Sequence, residues 1–298
     1  MTKRIDLHIH TSISDGVLTP KEVIDEAVKN SVSVISIADH DIIDAYNDEL
    51  FEYAKSKNIK LIPAVEISTK TKKSGIHVLG YNFDLEDIQF KEKLEQIRNA
   101  RHDYLHKVAN KLVELGYYIN LTELDKIDAV TKAHIALDLT TNSANKDKLL
   151  EKFGHIPTKG EFIESIMNEN CPAYVEKVTV TPREAGKMIR TAKGKVVLAH
   201  PVAYVHEDNL TGEEILEIIK ELQPDGLEAY YLYVDKNNQK FDESKKWCKF
   251  AKDNNLFVTV GSDFHNAKKK LKPQIGFVNT DFTLPEEIIE EILSNLEN

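Results

Sequence analysis

The chain has 298 residues, 41% of them hydrophobic and 30% charged, which suits one large or two smaller globular domains with a sizeable core. A formal net charge of -10 argues against a broad basic groove for duplex nucleic acid, although bound cations would add local positive charge that the sum omits. Two cysteines, Cys171 and Cys248, make no disulfide framework, and no apolar run is long enough for a bilayer, so a reduced cytoplasmic setting away from membranes is expected.

In chain order, Ile5–Ile9 reads as a strand. Thr19 then caps a helix through about Lys29, with Pro20 at the first helical position and Glu22 closing a capping box. The β-branched run Val32–Ala38 predicts a buried strand, followed by a helix over about Ala45–Lys57 and strands at Leu61–Ile67 and Ile76–Tyr81. Near Phe83 the pattern changes to a long amphipathic helix, about Leu85–Leu115. Shorter helices are predicted at Leu121–Ile127, Ala133–Thr141, Lys146–Phe153 and Gly160–Asn168.

Alternation resumes after Pro172. A helix over Pro182–Ala192 leads into the strand Lys195–Ala199, and a helix over Gly212–Leu222 leads into Gly226–Ala229. A helix from about Lys236 to Asn254 precedes the strand Leu256–Val260, and a last helix covers Pro285–Leu296. Strands alternating with helices predict a parallel α/β sheet or barrel of about seven strand–helix units. Residues 1–82 and 173–298 would form that barrel, and 83–172 a helical insertion.

On this map the unusual residues fall at strand ends. His8 and His10 end the first strand, with Asp15 in the following loop. Asp39, His40 and Asp41 follow the second, Glu66 ends the third, and His77 begins the fourth. His200 follows the strand Val196–Ala199, and Asp263 and His265 follow Phe257–Val260. Residues two apart on an extended strand point the same way, so the HxH and DxH pairs can aim four ligands at one point. Histidine with carboxylate suits zinc, iron or manganese better than calcium or magnesium. Nine ligands exceed one tetrahedral ion, so two or three ions sharing a bridging carboxylate fit better. His102 and His106 are one helical turn apart and read as a solvated face, and His155 and His206 have no supporting context.

The segments Asp6–Thr11, Ser14–Gly16, Ala38–Asp41, Pro63–Glu66, His77–Gly80, Ala199–Pro201 and Gly261–His265 resemble, in order, the motifs of the PHP (polymerase and histidinol phosphatase) family. The resemblance covers both ends of the chain. It implies a distorted seven-stranded (βα) barrel with a two- or three-metal centre. One ion would fall to His8, His10, Glu66 and Asp263, a second to Glu66, His77 and His200 with Glu66 bridging, and a third to Asp15, His40 and His265. Manganese, zinc or iron would serve, with magnesium as an alternative. Asp6, Asp39 and Asp41 would orient ligands or serve structure.

Within the family, the insertion looks like that of the nucleotide phosphoesterase branch, whose members act on nucleoside 3′,5′-bisphosphates or the 5′ ends of short RNAs. The stretch Lys132-Ala133-His134 stands where that branch carries an Arg-Pro-His-like phosphate motif, and lysine keeps the charge without arginine's fork. The resemblance implies phosphate binding by Lys132 and His134, catalytic roles for Glu66, Asp263 and His134, and an insertion that caps the substrate. The expected reaction is hydrolysis of a nucleotide phosphomonoester by a metal-activated water, on a small nucleotide or short single-stranded RNA. A histidinol-phosphate phosphatase, an amidohydrolase and an inactive metal-binding scaffold are the rival readings.

Overall fold

The computed structural model describes residues 4–127, 130–176, 178–235, 237–266, 274–280 and 283–297. In chain order it contains β1 (Ile5–Ile9), α1 (Pro20–Lys29), β2 (Val34–Ile37), α2 (Asp48–Ser56), β3 (Lys60–Leu61), β4 (Ala64–Lys70) and β5 (Gly75–Tyr81). The helices α3 (Ile88–Glu114), α4 (Leu121–Leu124), α5 (Lys132–Thr141), α6 (Lys146–Phe153), α7 (Lys159–Phe162) and α8 (Pro182–Thr191) follow. The remainder is β6 (Lys195–Leu198), α9 (Pro201–Glu207), α10 (Gly212–Leu222), β7 (Gly226–Tyr230), β8 (Leu232–Val234), β9 (Lys240–Asp242), α11 (Ser244–Asp253), β10 (Phe257–Val260) and α12 (Glu286–Glu297).

Two compact units divide the chain: Met1–Leu94 with Val180–Asn298, and Glu95–Thr179. The first is α/β. Its sheets run β1-β2-β3 and β10-β7-β6-β5-β4, with β8-β9 as a separate hairpin. One apolar cluster joins Ile5 and Leu7 of β1 to Leu79, Val197 and Val260 and to Ile289, Ile292 and Leu296 of α12. Another packs Ile9, Ile35 and Ile37 against Val23, Ile24 and Ala27 of α1 and Leu50 and Ala54 of α2. Threonine caps with glutamate three residues on start α1, α8 and α10, as Thr19/Glu22 predicts.

The second unit is helical. Tyr104, Leu105, Val108 and Leu112 of α3 pack with Leu124, Ile135, Leu139, Leu149, Phe162 and Ile166. No helix among the described residues is long and apolar enough to cross a membrane.

Three expectations need correction, and one helix is added. The sheet is mixed rather than parallel, because β5 runs antiparallel to both β4 and β6. Only Thr71–Ser74 link β4 to β5, closed by the bond from Thr71 N–H to Ser74 O (2.9 Å), and so short a link cannot cross over to a parallel neighbour. The strand expected at Leu61–Ile67 is split at Ile62–Pro63, where proline has no N–H for the ladder. The helix expected from Lys236 begins instead at Ser244, after the strand β9; Lys236 itself lies outside the described residues. Finally, a short helix, α9, follows His200 with Pro201 at its start.

Candidate metal centre

Alternation along β1 puts Ile5 and Leu7 into the apolar cluster and leaves Asp6, His8 and His10 on the other face. The loop after β1 is tied down by Asp39, which accepts from Thr11 N–H (2.7 Å), Thr11 Oγ1 (2.6 Å) and Ser14 Oγ (2.5 Å). Gly16 lets that loop turn back, since a Cβ there would stand 2.4 Å from the His10 carbonyl oxygen. This brings Asp15 beside His10.

His40 leaves β2 in a bridge to Glu66, flanked by bonds from Glu66 N–H to Asp39 O (3.2 Å) and from Asp41 N–H to Glu66 O (2.9 Å). The reversal of β5 explains why His77 belongs here although it lies near the start of a strand: the start of β5 lies beside the end of β4, with His77 paired to Ser68. After β10, Asp6 accepts from Ser262 N–H (3.0 Å), Ser262 Oγ (2.6 Å) and Gly276 N–H (2.7 Å), which aims Asp263 and His265 inward. Asp41, His200 and Asp263 have positive φ, at 56°, 23° and 51°, a strained backbone for non-glycine residues that is common at functional sites.

All nine expected ligands converge. Glu66 sits at the centre: its Oε1 is 2.9 Å from His77 Nδ1, 3.2 Å from His200 Nε2 and 3.4 Å from His8 Nε2. Its Oε2 is 3.1 Å from His40 Nδ1 and 3.2 Å from His10 Nε2. Asp263 Oδ1 lies 3.1 Å from His10 Nε2 and 3.5 Å from His8 Nε2, and its Oδ2 accepts from Tyr231 (3.1 Å). Asp15 Oδ1 is 3.3 Å from His265 Nε2.

Three groups of donors lie close enough to share an ion: His8, His10, Glu66 and Asp263; His10, Asp15, His40 and His265; and His40, Glu66 and His77. The first is the set expected for one ion. The second adds His10 to the expected trio. In the third His40 stands where His200 was expected, while His200 Nε2 lies 3.3 Å from His77 Nδ1.

The donor set fits divalent ions. Bonds of about 2.1 Å put neighbouring ligand atoms about 3.0–3.4 Å apart, and most of these contacts fall near that range. His10 Nδ1 and His200 Nδ1 are buried without a hydrogen-bond partner among the described residues. Electrostatics point the same way. Burial works against charge on His8, yet Glu228, Glu66 and Asp263 hold its pKa well above the usual value. His10 behaves alike, with Asp263 and Glu66 outweighing burial and raising it to about 10. Burial pushes His40 down to about 3, helped by His10 and His77. Glu66 and Asp15 stay well below the carboxylate range despite burial, because histidines surround them. The cluster therefore favours positive charge at its centre, where a proton and a metal ion compete.

Sequence reasoning missed Glu228, a fully buried carboxylate on β7. Its oxygens stand 3.0 and 3.2 Å from His8 Nδ1, and Oε2 accepts from His200 N–H at 2.9 Å. A lone glutamate in the apolar run Gly226–Ala229 was the signal available. Asp6 and Asp39, by contrast, bind backbone N–H groups and hydroxyls and so fix loops rather than imidazoles.

Lys132 and His134 lie in the first turn of α5, in the second unit. His134 Nδ1 accepts from Thr131 N–H at 3.1 Å, which leaves the ring proton of a neutral imidazole on Nε2, and Lys132 Nζ donates to Asn168 Oδ1 at 3.2 Å. His102 and His106 both contact Asp125 Oδ1, at 3.3 and 3.0 Å, on an exposed face.

Comparison with known proteins places the chain in a family. The model of the PHP domain matches residues 6–257. A 5′-3′ exoribonuclease of Haemophilus influenzae is 31% identical over 268 residues, covering 89% of this chain and 91% of its own. A 3′,5′-nucleoside bisphosphate phosphatase of Chromobacterium violaceum is 26% identical over 266 residues, covering 88% and 87%. Among solved structures, a Chromobacterium violaceum protein described as an amidohydrolase superposes with a TM-score of 0.75 at 22% identity, over 98% of this chain and 96% of that one, a likeness of fold. The chain belongs to the PHP domain family of metal-dependent phosphoesterases.

Proposed function

We propose that this protein hydrolyses a phosphomonoester on a nucleotide, either a nucleoside 3′,5′-bisphosphate or the 5′ end of a short single-stranded RNA. The observation that carries the reading is Glu66, whose two oxygens face different histidines and so suit a bridge between ions. Two or three divalent ions of manganese, zinc or iron, with magnesium as an alternative, would be held by His8, His10, Asp15, His40, Glu66, His77, His200, Asp263 and His265. Such ions make a water acidic enough to attack near neutral pH and offset the charge on phosphate.

The chain's own residues set the rest. Glu66 fixes the spacing of the ligands on either side of it, and Asp263, held by the Tyr231 hydroxyl, completes the buried group with His8 and His10. The partly exposed faces of Asp15, His77, Asp263 and His265 leave one side of the cluster open to a phosphate. Lys132 would contribute charge to phosphate recognition. His134, with its proton on Nε2, would donate to a phosphate or leaving-group oxygen. The nucleotide substrate is supported by the names of the two relatives reported above, which share most of their length with this chain.

We infer further that β1, β2, β4, β5, β6, β7 and β10 form a distorted seven-stranded barrel. The bridges Ile9–Phe264 and His40–Glu66 support this, since they link β1 and the end of β2 to the two edges, β10 and β4, of the five-stranded sheet. Residues 83–172 would serve substrate recognition, and a cytoplasmic setting suits a nucleotide substrate.

The test is release of inorganic phosphate by metal-loaded protein from nucleotides, 3′,5′-bisphosphates, 5′-phosphorylated short RNAs and histidinol phosphate. Turnover confined to nucleotide and RNA substrates supports the proposal. Turnover of histidinol phosphate alone, or of nothing, rejects it.

A further inference from the structure

We propose that Glu228 is a positioning residue that selects which nitrogen of His8 faces the ions, resting on the reading above that His8 is a ligand. An ionised glutamate accepts at both oxygens and donates at neither. Oε2 of Glu228 accepts from the His200 backbone N–H at 2.9 Å, and that donor cannot change its character. Oε1 is the nearer of the two oxygens to His8 Nδ1, at 3.0 Å against 3.2 Å for Oε2. With both ends of the carboxylate accepting, His8 keeps its proton on Nδ1, and its lone pair falls on Nε2. Nε2 is the atom that faces Glu66, His10 and Asp263.

The same contact holds His200. Its φ of 23° is strained, and Glu228 Oε2 accepts from its N–H. One side chain on β7 thus secures a ligand on β1 and another after β6. The glycine at 261 makes room for the arrangement: a Cβ there would stand 2.2 Å from Glu228 Oε1 and 2.3 Å from His8 Cβ.

Glu228→Gln is nearly isosteric but has one acceptor and one donor end. If the amide oxygen stays with His200 N–H, the amide NH2 takes the position nearer to His8 Nδ1 and opposes a ring proton there, which favours the tautomer protonated on Nε2, where the proton blocks coordination. If the amide turns over, NH2 meets the His200 N–H, donor against donor. Either way one ligand is displaced, with little change in volume.

The experiment compares wild-type and Glu228→Gln full-length protein by Zn2+ titration against a chromophoric chelator, with thermal melting of the metal-free proteins as the check on folding. The wild-type protein loaded with Zn2+ is also examined by long-range 1H–15N NMR of its histidines. We expect Zn2+ affinity to fall about 10- to 100-fold in the variant while the metal-free melting temperature stays close to wild type. His8 of the wild type should show a protonated Nδ1 and a coordinated Nε2. Equal affinity in the two proteins, or a wild-type His8 coordinated through Nδ1, overturns the proposal. Should the variant fail to fold, the wild-type NMR result decides alone. A wild type that binds no Zn2+ overturns the metal reading itself, and this inference with it.

Discussion

His77 Nδ1 approaches Glu66 Oε1 to 2.9 Å across the antiparallel pair β4–β5, although the ladder pairs His77 with Ser68 and Glu66 with Leu79. Because β5 is reversed, a histidine from its first residues meets a carboxylate that also faces His200 and His8 on the same oxygen. The other oxygen serves His40 and His10.

Glu66→Ala should therefore remove metal and turnover together. Losing a bridge worth several kcal/mol of charge stabilisation corresponds to about 1000-fold or more in rate. Elemental analysis of the purified variant, alongside phosphate release, checks this. Full metal content with lost activity would deny the bridging role.

Lys132→Ala should leave metal content unchanged. A charged hydrogen bond to phosphate contributes about 1.5–3 kcal/mol, so kcat/KM should fall about 10- to 100-fold. Steady-state kinetics on the best substrate of the panel measures it, and wild-type kinetics would remove Lys132 from phosphate recognition.

Gly261→Ala should destabilise the protein and weaken metal binding. Its Cβ has no room beside Glu228 and His8, and overpacking of this kind costs about 1–3 kcal/mol. Gly212→Ala is the contrast, since nothing lies within 4 Å of the added carbon. Melting curves of the two variants should differ by several degrees, and equal melting temperatures would contradict the close packing.

Replacing His102 and His106 together by alanine should alter neither metal content nor turnover. Both rings contact Asp125 on the exposed face of the second unit, and among the described residues neither belongs to a group of three or more donors that could share an ion. A metal count lowered by one ion in the double variant would show a site there.

Much of the centre was legible because its residues are chemically unusual and regularly spaced. The pairs His8/His10 and Asp263/His265 need only the two-residue period of a strand to converge. Strand direction was not legible. Periodicity reports that Gly75–Tyr81 is extended but not which way it runs, and the decisive feature was the four-residue link before it. The hairpin β8–β9 was hidden for a related reason: its strands have three residues each, and the lysines around them extend the helical charge pattern of α11. It is closed by Asp235, whose carboxylate accepts from the N–H groups of Asn237 and Gln239. Glu228 escaped notice because a single glutamate in an apolar strand has no spacing partner. Its meaning lies in contacts with residues 8 and 200, far away in sequence.

The most direct test of the account is anomalous diffraction from crystals of the manganese-loaded protein. It predicts two or three manganese peaks enclosed by the nine residues, with Glu66 coordinating two of them through different oxygens. A single peak, or peaks that leave Glu66 without metal, would contradict it.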